Sequence, residues 1–169
     1  MEIKSVSLTE LELQNMVRIY LEVWGGNPND FLERFKRHST YPGFQGVVAY
    51  EGKDISGFAY GYTSSPGQYY HNLLRMELTN SNQEYWLEAC FEFVELVVHP
   101  KYRRNNIGQE LATNLLEESQ NKKAVLTTQM DNTSARNLYK KLNWEIVKED
   151  FYPGDTTEPY VIMGKIINL

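Results

Sequence analysis

Glu95-Leu96-Val97-Val98-His99-Pro100-Lys101-Tyr102-Arg103-Arg104-Asn105-Asn106-Ile107-Gly108-Gln109-Glu110-Leu111 is the stretch from which the rest of this chain can be read. It opens in an aromatic and β-branched run, so Phe91–Val98 reads as a strand. His99-Pro100 stops it, because proline has no N–H to give to a ladder. Ile107, Leu111 and Leu115 then recur with Ala112 at the spacing of one buried helix face, which predicts a helix over Ile107–Glu118. The turn between them carries Lys101, Arg103 and Arg104. The first amides of a helix have no intrahelical partner, and the helix dipole adds partial positive charge there. Asn106 and Gly108 are residue types that accept left-handed or tight conformations. Together these features make a site for a pyrophosphate group. An ordinary surface turn with solvated cations has the same composition. The patterns of a nucleotide P-loop and of a dinucleotide fingerprint are both absent.

Outward from this segment, the remaining elements follow from period and punctuation. A helix is expected from near Thr9, capped by Ser7 or Thr9, with Leu13, Met16, Val17, Tyr20 and Trp24 at helical spacing. Gly25-Gly26-Asn27-Pro28 ends it, and a short helix over Asp30–His38 follows, with Phe31 and Phe35 on one face. Gly46–Tyr50 and Ile55–Tyr62 read as two strands joined at Glu51-Gly52-Lys53-Asp54. Ser64-Ser65-Pro66-Gly67 breaks the second strand, and a helix can begin anywhere between there and Leu87. Ala124–Gln129 is a strand, Asn132–Leu142 a helix, and Trp144–Glu149 and Tyr160–Ile166 two closing strands. This order predicts a mixed α/β sheet and not a regular parallel doubly wound one.

Composition removes several classes of function. The chain has 169 residues, the size of one ordinary domain, and 41% are hydrophobic, enough for a core. A net charge of −5 argues against a non-specific nucleic-acid binder, which needs many cationic phosphate contacts. No apolar run reaches the ~20 residues of a membrane helix, and Met1-Glu2-Ile3-Lys4-Ser5 lacks the apolar segment of a secretory signal. The expectation is a cytoplasmic protein that binds neither membrane nor nucleic acid. Cys90 is the single cysteine, which excludes an internal disulfide and a cysteine-built metal site. His38, His71 and His99 do not fall at metal-ligand spacing, so no metal is expected.

The central segment resembles the acetyl-CoA signature of the GNAT superfamily of N-acetyltransferases, Arg/Gln-x-x-Gly-x-Gly/Ala after a strand ending in Val-x-Pro. Here it stands as Arg103-Arg104-Asn105-Asn106-Ile107-Gly108, with Asn106 in the usual place of a glycine. Asparagine tolerates a positive φ better than other non-glycine residues, so the loop shape is expected to survive. A second stretch, Asp131-Asn132-Thr133-Ser134-Ala135-Arg136-Asn137-Leu138-Tyr139-Lys140-Lys141-Leu142-Asn143-Trp144-Glu145, is similar to the family's Asn-x-x-Ala-x-x-x-Tyr-x-x-x-Gly-Phe. Asn143 replaces another glycine on the C-terminal side of the helix, where asparagine is an accepted substitute.

The resemblance implies an α/β (mixed α+β) fold. Its central, mostly antiparallel sheet splays between the fourth and fifth strands and is flanked by helices, and residues 1–169 form a single N-acetyltransferase domain. It implies transfer of an acetyl group from acetyl-CoA to a primary amine by direct attack. The acceptor would be a small molecule or a peptide, and the protein a homodimer. The alternative is a non-catalytic acyl-CoA-binding regulatory module on the same fold. By resemblance, the backbone of Leu96, Val97 and Val98 pairs with the pantetheine arm like an added strand. The amides of Arg104, Asn105, Asn106, Ile107, Gly108 and Gln109 hold the pyrophosphate, with Arg103 beside them. Asn132 bonds the arm or simply caps its helix. Tyr139, seven residues on, either protonates the leaving thiolate or packs on the helix's apolar face.

Glu95 lies on the strand that would face the acetyl group, where partial burial would raise its pKa and suit it to take the amine's proton. A solvent-facing strand carboxylate is the other reading. Chemistry alone would also allow His99 as a base, but its place before Pro100 favours a turn residue. Cys90 reads as a small buried apolar residue. No Lys or Arg occurs from Met76 through Pro100, whereas Glu77, Glu84, Glu88, Glu92 and Glu95 do, which suggests an acidic side for a cationic acceptor or a set of solvated carboxylates. Tyr69, Tyr70, Tyr85 and Trp86 either line an acceptor pocket or pack at the core and rim.

Overall fold

The computed structural model describes residues 1–168. Along the chain run β1 (Glu2–Ser5), α1 (Glu10–Trp24), α2 (Pro28–His38), β2 (Gln45–Glu51), β3 (Asp54–Thr63), α3 (Tyr69–Asn80), β4 (Cys90–Val98), α4 (Ile107–Glu117), β5 (Lys123–Gln129), α5 (Thr133–Lys141), β6 (Glu145–Phe151) and β7 (Tyr160–Ile166), with 3-10 turns at Glu84–Leu87 and Pro100–Tyr102. The strands form one mixed sheet in the order β1-β2-β3-β4-β5-β7-β6. β4 and β5 are parallel, registered at Cys90↔Lys123, Phe91↔Ala124 and Glu92↔Val125, as befits strands joined through a helix. The β1–β2, β2–β3, β5–β7 and β6–β7 pairs are antiparallel. The expected mixed, mostly antiparallel sheet with flanking helices is what the chain builds. No helix among the described residues is long and apolar enough to cross a membrane.

The chain divides into two compact units, Met1–Tyr62 with Val94–Ser119, and Thr63–Phe93 with the chain from Gln120 onward. β4 passes from the second unit into the first.

In the first unit, α1 starts where Thr9 accepts a hydrogen bond from the Glu12 amide at 3.3 Å. Glu12 reaches back to accept from the Ser7 amide at 2.7 Å, which closes a reciprocal cap. The helix stops at Gly25, whose φ of 72° a side chain would resist. Pro28 does more than end α1: Asn27 caps α2 and Pro28 takes its first position, where a missing N–H costs nothing. α2 therefore begins two residues before the expected Asp30. Met16 and Ile19 of α1 and Phe31 and Phe35 of α2 bury against Val48, Ile55, Phe58, Tyr60 and Val97 of the sheet. At ~1.5–3 kcal/mol for each fully buried large side chain, this cluster is a main source of the unit's stability.

β1 has no counterpart in the sequence reading. Its Glu2-Ile3-Lys4-Ser5 carries one half-buried apolar residue, too little to show alternation, and its pairing Glu2↔Tyr50 to Ser5↔Val47 is dictated by β2.

The second unit buries Leu74, Leu78, Trp86, Cys90, Val125, Val147, Phe151 and Ile162. The segment whose helix start the sequence left open resolves into α3 and a 3-10 turn. Gln68 supplies no side-chain cap to α3, which explains the missing start signal. Its side chain instead closes the preceding turn, accepting from the Ser65 amide at 2.9 Å and donating to the Thr63 carbonyl at 3.1 Å.

β4 is held against β3 by an unusually close approach. The His99 amide donates to the Ser56 carbonyl at 2.8 Å in the first unit, and the Ser64 amide to the Cys90 carbonyl at 2.9 Å in the second, so the two strands run antiparallel. Opposite Val97, a Cβ on Gly57 would stand 2.6 Å from the Val97 carbonyl oxygen and 3.0 Å from Leu111 Cδ1. Backbone cannot yield as a flexible side chain does. Gly57→Ala is expected to destabilise the protein by about 2–3 kcal/mol, seen as a fall of roughly 5–10 °C in the thermal unfolding midpoint. A midpoint unchanged from the native chain would show that β3 and β4 can separate freely.

Candidate active site

β4 ends at Val98, and the chain turns through Pro100–Tyr102 into a loop of unusual backbone. His99 holds the turn: its Nδ1 accepts from the Lys101 amide at 3.0 Å, and its Nε2 lies 3.0 Å from Glu22 Oε2 on α1. An Nδ1 that accepts leaves the proton on Nε2, which therefore donates to Glu22. His99 is thus the turn residue and is not placed as a free base. Arg104 (φ 68°) and Asn106 (φ 60°, ψ 15°) both sit in the left-handed region. Asn106 preserves the loop as expected of the glycine's best substitute. Gly108 does not need glycine's backbone freedom, because it lies inside the first turn of α4.

No side chain caps α4. The Ile107, Gly108 and Gln109 amides lie within its first turn and so have no intrahelical acceptor. Lys101, Arg103, Arg104, Asn105 and Asn106 are all exposed around them, whereas Ile107 is buried and anchors the helix. An uncapped helix start inside a basic turn suits an anionic ligand, and these residues fit the diphosphate of a coenzyme A.

Earlier on the same strand, Val97 is buried while Val94, Glu95, Leu96 and Val98 are half-buried. The Glu95 side chain is 17% exposed. Burial pushes its carboxyl from an ordinary 4.5 up to about 7, with the Arg34 charge pulling the other way. It is not a solvent-facing carboxylate. Arg34 Nη2 donates to Glu95 Oε1 at 3.2 Å and to the Tyr20 hydroxyl at 3.0 Å. The guanidinium lies over the Tyr20 and Phe31 rings, 5.5 and 5.7 Å from their centroids. Sequence reasoning missed Arg34, which is 61 residues from Glu95. The one local hint is its place on α2 beside the buried Phe31 and Phe35.

In the second unit, Asn132 caps α5, its Oδ1 accepting from the Ala135 amide at 3.1 Å. Tyr139 is buried at 7% exposure and meets the rings of Phe93 and Trp144 edge-on. The helix closes on Asn143 (φ 69°): the Trp144 amide bonds the Tyr139 carbonyl at 2.9 Å and the Asn143 amide that of Lys140 at 3.0 Å. The expected asparagine-for-glycine exchange therefore holds here too. A cavity of about 370 Å³ beside α5, lined by Arg136, Lys140, Trp144 and Met163 among others, contains none of the site residues expected from sequence.

The acceptor features disperse. Glu77 pairs with Lys148, Glu88 with Lys123 and Glu95 with Arg34, and Glu92 is buried, so these four do not make an open acidic face. Trp86 packs on Gly164, where a Cβ would meet its ring at 2.6 Å. Tyr70 bonds Thr127 at 2.7 Å, Tyr85 covers Lys123 at 3.6 Å, and Tyr69 is exposed. Cys90 is buried and its thiol is pushed well above the usual range by that burial. Among the described residues no group of His, Cys, Asp and Glu is placed to hold a metal ion.

Two outcomes follow from this geometry. Asn106→Ala puts an ordinary side chain at φ 60° and should cost about 1 kcal/mol in chemical denaturation, whereas Asn106→Gly should cost nothing; equal losses would mean that φ does not govern the site. The second concerns pH. Between pH 4.5 and about 7 the folded chain keeps the Glu95 proton that the unfolded chain has released. Stability from this group is thus present at low pH and falls as pH rises through that window, by on the order of 3 kcal/mol. Glu95→Gln should raise the unfolding midpoint at pH 8 and leave it nearly unchanged at pH 5. An equal shift at both pH values would contradict the raised pKa.

The chain matches the Acetyltransferase (GNAT) family over residues 11–144. A curated relative, the GCN5-like protein acetyltransferase Rv2170 of Mycobacterium tuberculosis (strain ATCC 25618 / H37Rv), is 27% identical over 122 residues, covering 67% of this chain. The match spans 59% of that relative's length. Among solved structures, the ribosomal-protein-S18-alanine N-acetyltransferase of Escherichia coli superposes with a TM-score of 0.70 at 16% identity, covering 99% of this chain and 96% of the other. An aminoglycoside 6'-N-acetyltransferase complexed with coenzyme A gives 0.71 at 17% identity, covering 100% and 98%. These two likenesses establish a shared fold. From the family match over residues 11–144, the chain belongs to the GNAT family of acetyltransferases.

Proposed function

We propose that the whole chain acts as one N-acetyltransferase domain that moves an acetyl group from acetyl-CoA to a primary amine by direct attack. The observation that carries this reading is the uncapped start of α4 behind left-handed Asn106 in a turn of exposed cations. In this reading the amides from Arg104 to Gln109 hold the diphosphate, with Arg103 beside them. The backbone of Leu96, Val97 and Val98 receives the pantetheine arm as an added strand. Asn132 keeps its cap through Oδ1 and offers Nδ2 to the same arm.

Acetyl-CoA supplies the acetyl group already activated as a thioester. What the protein must add is a neutral amine and a proton for the departing thiolate. Glu95 takes the ammonium proton, and a carboxyl poised at about 7 can do so near neutrality. Tyr139 gives its phenolic proton to the thiolate as the C–S bond breaks, since a phenol of ordinary pKa ~10 is protonated at neutral pH, and the second proton that the attacking nitrogen sheds as the amide forms restores the phenol.

Calorimetry with acetyl-CoA, followed by thiol release over a panel of primary amines, tests the reading. Binding and turnover are both expected. Tyr139→Phe keeps the ring among Phe93 and Trp144 and removes only the hydroxyl. Acetyl-CoA affinity should hold while kcat falls at least tenfold, toward the ~10²–10⁴ of a general acid. The native kcat/KM should rise with pH through about 7 as Glu95 loses its proton. Full turnover in the Phe variant, with chemistry rate-limiting, would remove Tyr139 from the mechanism.

A further inference from the structure

The Glu95–Arg34 pair is engaged by only half of each partner. Both hydrogen bonds of Arg34 leave from Nη2, to the Tyr20 hydroxyl and to Glu95 Oε1. Among the described residues its Nη1 and Nε donors have no partner, and its side chain is 35% exposed. Glu95 accepts on Oε1, and among the described residues Oε2 has no partner either. Neither set of atoms is sealed from solvent, since none is among the buried unpartnered atoms. Tyr20 and Phe31, stacked with centroids 4.3 Å apart, fix the guanidinium in place. The result is a fixed cation beside a fixed carboxyl group, each with bonding capacity left over.

We propose that this pair recognises an acceptor whose amine stands next to a carboxylate, as in a free amino acid. The inference rests on the acetyltransferase reading above. An ammonium group matches Glu95 Oε2, and a carboxylate on the neighbouring carbon matches the Nη1 protons of Arg34, a charge-assisted bond to a donor already held in place. The zwitterion's two charges meet their opposites in a single contact. A polyamine would bring a second cation against Arg34, and a simple monoamine would leave those donors to water. The glutamates that precede Glu95 in sequence offer no open anionic pocket for a second cation, because Glu77 and Glu88 are paired and Glu92 is buried.

The test compares several amino acids with their carboxamides and their decarboxylated amines, on the full chain. Binding is measured by calorimetry in the presence of CoA, and turnover by thiol release. The native protein should prefer the acid over both analogues at least tenfold in kcat/KM and in affinity. Arg34→Gln should collapse the acid-to-amide ratio toward one, and Arg34→Lys, which keeps the charge without the fork, should recover part of it. Equal use of acid, amide and amine by the native chain overturns the inference while leaving N-acetyl transfer intact. A ratio unchanged in Arg34→Gln overturns it as well. Conversely, Arg34-dependent binding of amino acids with no turnover of any amine would uphold the zwitterion site and discard the acetyl-transfer reading.

Discussion

Where β3 passes β4, the Val97 carbonyl lies so close to Gly57 that a single added carbon would sit 2.6 Å from it. That approach fixes the end of β4 from one side, and the rest of the first unit's chemistry is measured from there. Val97 points into the core with Phe58, Ile55 and Met16. Strand alternation then keeps its neighbours Leu96 and Val98 half-buried, and Glu95, two residues before Val97, arrives beside Arg34. Leu111, the first full turn of α4, touches the same glycine position, so one close contact seats both the strand and the helix that follows it.

Two asparagines do the conformational work commonly left to glycine. Asn106 turns the chain into α4 at φ 60°, and Asn143 turns it out of α5 at φ 69°. The two ends differ in what they do with their backbone groups. At Asn143 the carbonyls of Tyr139 and Lys140 are both satisfied within the chain. At Asn106 no side chain caps the helix, although asparagine is among the best capping residues when it adopts an extended backbone. The left-handed conformation is what prevents Asn106 from closing its own helix, and it leaves the first amides of α4 without a side-chain acceptor. α2 and α5, by contrast, are capped by Asn27 and Asn132.

The electrostatics of the first unit are local. Glu95 is burdened by burial and relieved by Arg34, which is in turn held by Tyr20 and by two ring faces. A buried carboxylate with one partial counter-charge resists ionisation until near neutrality. His38 shows the opposite sign under the same cause: burial against Tyr60 and Tyr62 lowers it to about 4 and keeps it neutral, bonded to the Tyr60 hydroxyl at 2.9 Å. The excess of glutamates between Glu77 and Glu95 does not act as a field, because lysines and an arginine distant in sequence meet three of them.

What the sequence determines by itself is whatever depends on neighbours within a few residues. The periods of α1 and α4, the Gly52 hairpin, the Pro100 stop and the left-handed asparagines all follow from propensity and spacing. So does the order strand, basic turn, helix that anticipates the uncapped amides. Short, weakly patterned pieces were not legible: β1 takes its place from β2, and α3 begins without a cap. The roles of individual side chains were the least legible. Asn132 reads in sequence as a cap or a ligand, and the tertiary structure shows the cap, with the Ala135 amide on its Oδ1. Trp86 and Tyr70 could be read as pocket walls until packing and Thr127 claimed them. Above all, Arg34 becomes part of the Glu95 site only when α2 folds onto the sheet, because burial and charge depend on distance in space, and 61 residues of chain say nothing about that distance.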